Sequence, residues 1–481
     1  MSRPTPAAGG SGGGQLAVGS AAQVRPLASR YAALGVLTAA CTLRLLLDGD
    51  APLGWRLGLL AVGYVAFGLL VAGEVVRPVL ARRAVLVLSV GLLAVAVMAP
   101  PRESRDLGLY AMYGRIVAEH HDNPYTEVPG QYPDDPWYEN LHPAWQRSTS
   151  LYGPAFIAVS AAGMWVAGES ILLGRLFFQG LAALAILAAA LAVGRLTGST
   201  AAMAMVGLNP LVIISVVNGG HNDALVGLAV LAGGLLAARR RMALAGVVLG
   251  LAVLVKATAG LALLGVAAWV WRREGVRRAV AIAGVAGALI VVGYVAAGGR
   301  APVERLQDAQ LDVSGASIWD APRRHLTGDR VAEGVPYRTA NRQVRSGIAR
   351  WSMLAVLGLA GLTLVRRVHR LVPAVAAGTA LLAYLLLGAY VLPWYIAWGL
   401  PALALAWRSA LAWATIGYGA LLHLSYVPVS ADRYFATPPL ATLERLQVGL
   451  RSVGVPLLCV TVAVVMVAAC RRRPTDLVGP A

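Results

Sequence analysis

Several short polar patterns interrupt an otherwise apolar chain, and each holds residue types able to do chemistry. Asp106, Tyr110 and Tyr113 fall at i, i+4 and i+7 in Asp106-Leu107-Gly108-Leu109-Tyr110-Ala111-Met112-Tyr113-Gly114-Arg115. That spacing puts three side chains on one face of a helix. The carboxylate could act as a general base or could cap the helix that follows. Further on, Asn218-Gly219-Gly220-His221-Asn222-Asp223 reads as a tight glycine turn opening a helix. Exposed N–H groups and a positive dipole end suit a phosphate or hydroxyl there, although Asn222 or Asp223 would serve equally as a cap. Lys256 is the single lysine of the chain, set between two apolar runs. A cation so placed must find an anion or reach water. Asn123-Pro124-Tyr125, Tyr152-Gly153-Pro154 and Leu392-Pro393-Trp394-Tyr395 are rigid turns carrying aromatic rings. The last would form either an interfacial belt or the wall of a lipid or sugar site.

The elements that position these residues follow from composition. The chain has 481 residues, 58% hydrophobic and 13% charged, with a mean hydropathy of +0.67. Soluble domains carry roughly 25% charge, so a soluble enzyme, a disordered chain and a fibrous repeat are excluded. Apolar runs near 31–47, 56–76, 84–100, 173–193, 200–217, 223–238, 242–255, 257–271, 279–297, 350–365, 372–391, 394–408, 409–428 and 449–469 predict an all-α polytopic membrane protein of about 14 transmembrane helices. The runs 242–255 and 257–271 are short. They fit two tilted halves around a break at Lys256 or a pair of thin spans.

The net charge of +18 does not indicate nucleic acid. Arginines cluster between apolar runs, as in Arg82-Arg83, Arg239-Arg240-Arg241, Arg272-Arg273, Arg366-Arg367 and Arg471-Arg472-Arg473, which is the positive-inside pattern. If residues 153–168 form an interfacial or re-entrant helix, every one of these clusters is cytoplasmic. Residues 1–30 then read as a disordered cytoplasmic tail rather than a cleaved signal, 31–470 as the membrane domain and 471–481 as a cytoplasmic tail. Two long loops, 101–150 and 298–349, fall on the external face and hold 14 of the 23 acidic residues. Acids and aromatics together suit carbohydrate. Asp134-Asp135 with Glu139 and His142 could hold a hard cation or stand solvated, and a divalent metal is left open. The three cysteines imply no disulfide framework.

The order of these features resembles the GT-C superfamily of membrane glycosyltransferases. More narrowly, it resembles the polyprenyl-phosphate-mannose-dependent α-mannosyltransferases of actinobacterial type. The matching segments are Asp106 to Arg115, Asn123-Pro124-Tyr125, Tyr152-Gly153-Pro154, Gly219-Gly220-His221-Asn222-Asp223, Lys256 and Pro393-Trp394-Tyr395. Thr258 and Leu392 stand where the family often has Pro and Gln. The resemblance implies a GT-C bundle in the cell membrane with its active site on the external face. It implies inverting transfer of a hexose, mannose in this family, from a polyprenyl-phosphate sugar to a glycan or glycolipid acceptor. No cofactor is required, and the partners are the two substrates and membrane lipid. Asp106 would be the base. Lys256, His221 and Arg115 would surround the donor phosphate. Tyr110, Tyr113, Asn222, Asp223, Trp394 and Tyr395 would bind substrate. A lipid-linked-sugar transporter or flippase, which would line a midplane tunnel with polar groups, and a non-catalytic scaffold are the competing expectations. Convergence of Asp106, His221 and Lys256 on one cavity favours the enzyme.

Overall fold

The computed structural model of the chain describes residues 16–48, 51–367, 371–427 and 442–469; among these, the regular structure is helical, without strands. The helices are α1 Leu16–Leu46, α2 Leu53–Val76, α3 Arg82–Met98, α4 Asp106–Ala118, α5 Pro154–Ala167, α6 Ile171–Thr197, α7 Thr200–Gly207, α8 Asp223–Ala238, α9 Met242–Val255, α10 Gly260–Glu274, α11 Val276–Ala296, α12 Arg300–Ala309, α13 Asp320–Ala332, α14 Tyr337–Arg367, α15 Pro373–Leu387, α16 Leu400–Leu403, α17 Ala410–Tyr426, α18 Thr442–Gly449 and α19 Val455–Ala469.

Among the described residues, six stretches are long and apolar enough to cross a bilayer: Leu53–Val76, Ile171–Thr197, Thr200–Val217, Val276–Ala296, Tyr337–Arg367 and Thr442–Ala468. Several other apolar helices have 14 to 16 residues. At 1.5 Å per residue they run about 21–24 Å, short of the ~30 Å hydrocarbon layer. The expected set of about 14 spans is therefore only partly met. The run at 394–408 is a succession of short turns, Pro393–Trp398, Leu400–Leu403 and Ala404–Ala406. The bundle buries this stretch, so its hydropathy reflects protein packing rather than lipid contact.

Two expectations need correction. Helix α1 begins at Leu16, inside the segment expected to be a disordered tail. The stretch 298–349 is no irregular loop, because α12, α13 and the first turns of α14 fill most of it. The second was hidden because arginines and acids on the exposed faces of these helices break the apolar runs. The tail at 471–481 lies outside the described residues.

Local chemistry sets the helix ends. Ser170, Ser199 and Ser409 cap α6, α7 and α17 through their hydroxyls. Pro154 and Pro373 occupy first-turn positions, where a missing N–H costs nothing. After α7, Pro210 breaks the helix and residues 212–217 wind as a wide π turn. That turn delivers Asn218 to the end of the bundle where the polar patterns meet. Asn218 then clamps the end of α3: its amide nitrogen donates to the carbonyls of Ala96, Ala99 and Pro100 at 3.0 Å, and its oxygen accepts from the Arg102 N–H at 2.9 Å. Gln179 of α6 donates to Asn218 O and Ala99 O. These bonds fix the backbone immediately before Asp106.

Candidate active site

Asp106 is the first residue of α4, with Arg105 in the capping position and no side-chain cap. The carboxylate is therefore not spent on the helix, and the capping reading falls away. Its Oδ2 lies 3.8 Å from His221 Nδ1, and its side chain remains 18% exposed. The Tyr110 hydroxyl lies 3.2 Å from the same nitrogen. Tyr113, one further step along this face, donates to Ser148 O at 2.8 Å. Both tyrosine rings are buried, so they build the wall behind Asp106.

The turn that carries His221 needs its glycines. Gly220 has φ +63°, a left-handed conformation. A Cβ there would also meet Leu107 at 2.9 Å. Helices α8 and α9 then form an antiparallel hairpin around Arg239–Arg241. Lengths of 16 and 14 residues bring the start of one beside the end of the other. Lys256 thereby meets Asp223, with Nζ to Oδ1 at 2.7 Å and side-chain exposures of 11% and 0%. The indole N–H of Trp398 donates to the same oxygen. The ammonium also sits 4.3 Å from the Tyr395 ring centroid and 5.1 Å from that of Trp398, within cation–π range. Trp394 stacks on His221 at 4.1 Å and 14°.

The Tyr152-Gly153-Pro154 turn docks on this same corner. The Gly153 N–H donates to Val255 O at 3.1 Å. A Cβ on Gly153 would lie 2.0 Å from the Leu254 carbonyl oxygen, so only glycine permits the approach.

Electrostatics separate the charged groups. Burial pushes Asp106 up to about 6. Lys256 pulls it down, Asp223 pushes it up, and a hydrogen bond with Ser104 pulls it down. Burial, with Lys256 adding, holds His221 well below the ordinary imidazole range. It is a neutral ring between Asp106 and Asp223, whose Oδ2 is 4.0 Å from the same Nδ1.

Asp106, His221, Asp223, Lys256, Tyr395 and Trp394 thus gather where α4 and α8 begin and α9 ends, at one end of the helices rather than midway along them. Asn222 is buried beside them, with both amide atoms lacking a protein partner. The three residues expected around the donor phosphate are held as follows. Lys256 finds its anion within the protein, in Asp223. His221 is neutral and fully buried. Arg115 points away, its Nε bonded to both Asp135 oxygens at 2.8–2.9 Å and its Nη1 to Gly168 O at 2.6 Å. Asp135 also takes His120 at 2.9 Å. Burial pushes its carboxyl up, but the Trp137 N–H, Arg115 and His120 outweigh this and hold it below the usual range. Asp135 is therefore a strut. Among the described residues, no group of three His, Cys, Asp or Glu gathers as a metal site.

Sequence reasoning missed Trp398. Its spacing of four residues from Trp394 was the available signal. It also missed Arg44 and His423, which share Glu103: Arg44 Nη2 donates to Oε1 at 2.7 Å, His423 Nε2 lies 2.7 Å from Oε2, and the Tyr64 hydroxyl lies 2.7 Å from His423 Nδ1. No local pattern links residues so far apart in the chain.

Comparison with known proteins gives these observations a setting. The family described as alpha-(1->6)-mannopyranosyltransferase, N-terminal domain, matches residues 8–273, more than half of the chain. The Corynebacterium glutamicum protein named Alpha-(1->6)-mannopyranosyltransferase A is 31% identical over 172 residues, 35% of this chain and 35% of its own length. The Mycobacterium tuberculosis protein of the same name is 32% identical over 183 residues, 37% of this chain and 35% of its own length. The matched stretch spans about a third of the length of these curated relatives.

Proposed function

The chain belongs to the alpha-(1->6)-mannopyranosyltransferase N-terminal-domain family, and on that footing we propose that it is an integral-membrane mannosyltransferase. The donor is a polyprenyl-phosphate mannose and the acceptor a hydroxyl of a glycan or glycolipid at the external membrane face. The observation that carries the reading is the Asp106 carboxylate, without a permanent-cation partner, beside His221, which Asp223 and Trp394 also flank, with Lys256 on Asp223 at the same end of the bundle.

An acceptor oxygen attacks the anomeric carbon from the face opposite the phosphate. Asp106 removes its proton as the new C–O bond forms. The bond from the anomeric carbon to the phosphate oxygen breaks, and the electron pair leaves with polyprenyl phosphate. One displacement inverts the anomeric centre, through a transition state of oxocarbenium character. A base at about 6 is mostly ionised at pH 7 and still close enough to neutrality to accept a proton efficiently. Phosphate is a good leaving group and needs cationic stabilisation rather than a general acid. Lys256 neutralises Asp223, so the second carboxylate of the cluster does not drive Asp106 higher still. The face of Trp394 opposite His221 offers a surface for the sugar's C–H bonds. The transporter reading fits less well, because the polar groups lie at helix ends rather than along a midplane path.

The test uses membranes carrying the full chain and radiolabelled polyprenyl-phosphate mannose. The parent is expected to label a glycolipid. Asp106→Asn is expected to lose about 10²–10⁴ in rate while retaining the donor. Near-normal turnover by that variant in an assay limited by chemistry refutes the assignment of the base.

A further inference from the structure

Four basic residues that could meet a donor phosphate already hold a carboxylate. Arg115 is held by Asp135, Lys256 by Asp223, and Arg323 and Arg324 both pair with Asp320. In an in-line displacement the leaving group lies across the sugar from the base. The two functional groups of inverting glycosidases stand about 6.5–9.5 Å apart. The phosphate site therefore belongs at some distance from Asp106, across the sugar from it and close to the membrane surface.

Arg305 meets these conditions. It lies on α12, which follows the span α11 after the Gly298-Gly299 turn, where both glycines take positive φ. The turn is pinned to the first loop, because the Asn123 amide donates to Ala297 O at 3.1 Å. Half-buried, Arg305 donates Nε to Thr149 O at 3.2 Å. The neighbouring Ser148 carbonyl is the acceptor of the Tyr113 hydroxyl. Arg305 therefore stands at the Tyr113 end of the face that begins with Asp106. Seven residues of helix separate the two ends, about 10 Å at 1.5 Å per residue. Electrostatics agree: burial pushes the Tyr113 phenol up, Arg305 pulls it down and Asp106 pushes it up, so this ring feels both groups.

Among the described residues Arg305 forms no ion pair, unlike the arginines considered above. The Thr149 carbonyl fixes its Nε edge and leaves the two Nη groups as a fork, the geometry that matches two phosphate oxygens. Arg105 and Arg147 also hold no ion pair among the described residues, but both are exposed, and Arg105 adjoins Asp106 on the base side of the sugar.

We propose that Arg305 is the residue that binds the phosphate of the lipid-linked donor, holding it while charge builds on the leaving oxygen. The assignment rests on the glycosyl-transfer reading above. Its test does not require transfer.

The full-length protein in nanodiscs is titrated with polyprenyl monophosphate, with the polyprenol of equal chain length, and with inorganic phosphate as competitor. The parent is expected to prefer the monophosphate to the polyprenol. Arg305→Gln is expected to weaken monophosphate binding about 10- to 100-fold and leave polyprenol binding unchanged. Arg305→Lys, which keeps the charge and the fold, is expected to lose severalfold. Competition by inorganic phosphate in the parent but not in Arg305→Gln identifies the phosphate itself, rather than the chain, as the group bound. Unchanged monophosphate affinity in both variants overturns the proposal, as does a parent that does not discriminate between monophosphate and polyprenol. A loss seen in Arg105→Gln but not in Arg305→Gln also overturns it and moves the phosphate to the base side. If Asp106→Asn keeps full activity while Arg305→Gln loses the monophosphate, the base assignment fails and the phosphate site stands.

Discussion

Glu103 and Asp106 lie three residues apart at the start of one loop, and their surroundings drive them to opposite ends of the carboxylate range. Burial pushes Glu103 up, but His423 and Arg44 contact it directly and bring it down to about 2. Burial pushes Asp106 up to about 6, and Lys256, held against Asp223, pulls it only part of the way back. An acid whose partners touch it stays ionised and holds structure. An acid whose partner is shared with a second carboxylate stays poised to take a proton. Glu103 ties α1 and α17, and through His423 also α2, to the loop. Asp106, at the other end of the same segment, has no such ties and is the base of the proposed function.

The comparison breaks first on stability. Glu103→Gln strands the fully buried Arg44 guanidinium and is expected to cost about 3–5 kcal/mol, read as a fall in unfolding free energy of the purified protein. Lys256→Met strands Asp223 and is expected to cost a similar amount. A second change, Asp223→Leu, should recover part of it, since removing both partners is milder than removing one. Asp106→Asn should not lower stability at pH 7 and should raise it, because the neutral amide removes the buried charge that pushes this carboxyl up to about 6. Equal losses at positions 103 and 106 would erase the distinction.

Acid titration of stability sharpens it, because the signs oppose. Glu103 sits below its ordinary 4.5. Its contribution is complete above that pH and is lost as pH falls from about 4.5 to about 2. Asp106 sits above its ordinary 3.8. The contribution of its neutral form is present below 3.8 and is lost as pH rises from 3.8 to about 6. Asp106→Asn should flatten the stability curve between those two values and leave the lower limb in place. The smallest effect belongs to Arg324→Gln. Its side chain is 55% exposed opposite Asp320, so unfolding free energy should change by less than about 1 kcal/mol.

Much of the arrangement was legible in the sequence, and the remainder was hidden for physical reasons. The i, i+4, i+7 face of Asp106, the Gly-Gly turn and the aromatic turn after Pro393 were readable because short-range geometry dictates them. The Lys256–Asp223 pair was derivable in principle from two helices of similar length joined by a short arginine turn. The Arg44–Glu103–His423–Tyr64 cluster joins segments with no local relation, and only tertiary packing assembles it. The segment 298–349 read as a loop because charged helix faces carry no apolar run. That misreading hid Arg305, whose position depends on α12 folding back over Thr149.

The most direct measurement of the central claim is the pH dependence of kcat/KM for mannosyl transfer, which reports the free enzyme's essential base. If Asp106 is that base, the parent loses about tenfold per pH unit below about 6 and levels off above it. Asp106→Asn should lose this acid limb together with about 10²–10⁴ in rate. An unchanged acid limb in Asp106→Asn, or a parent profile flat through pH 6, would contradict the account.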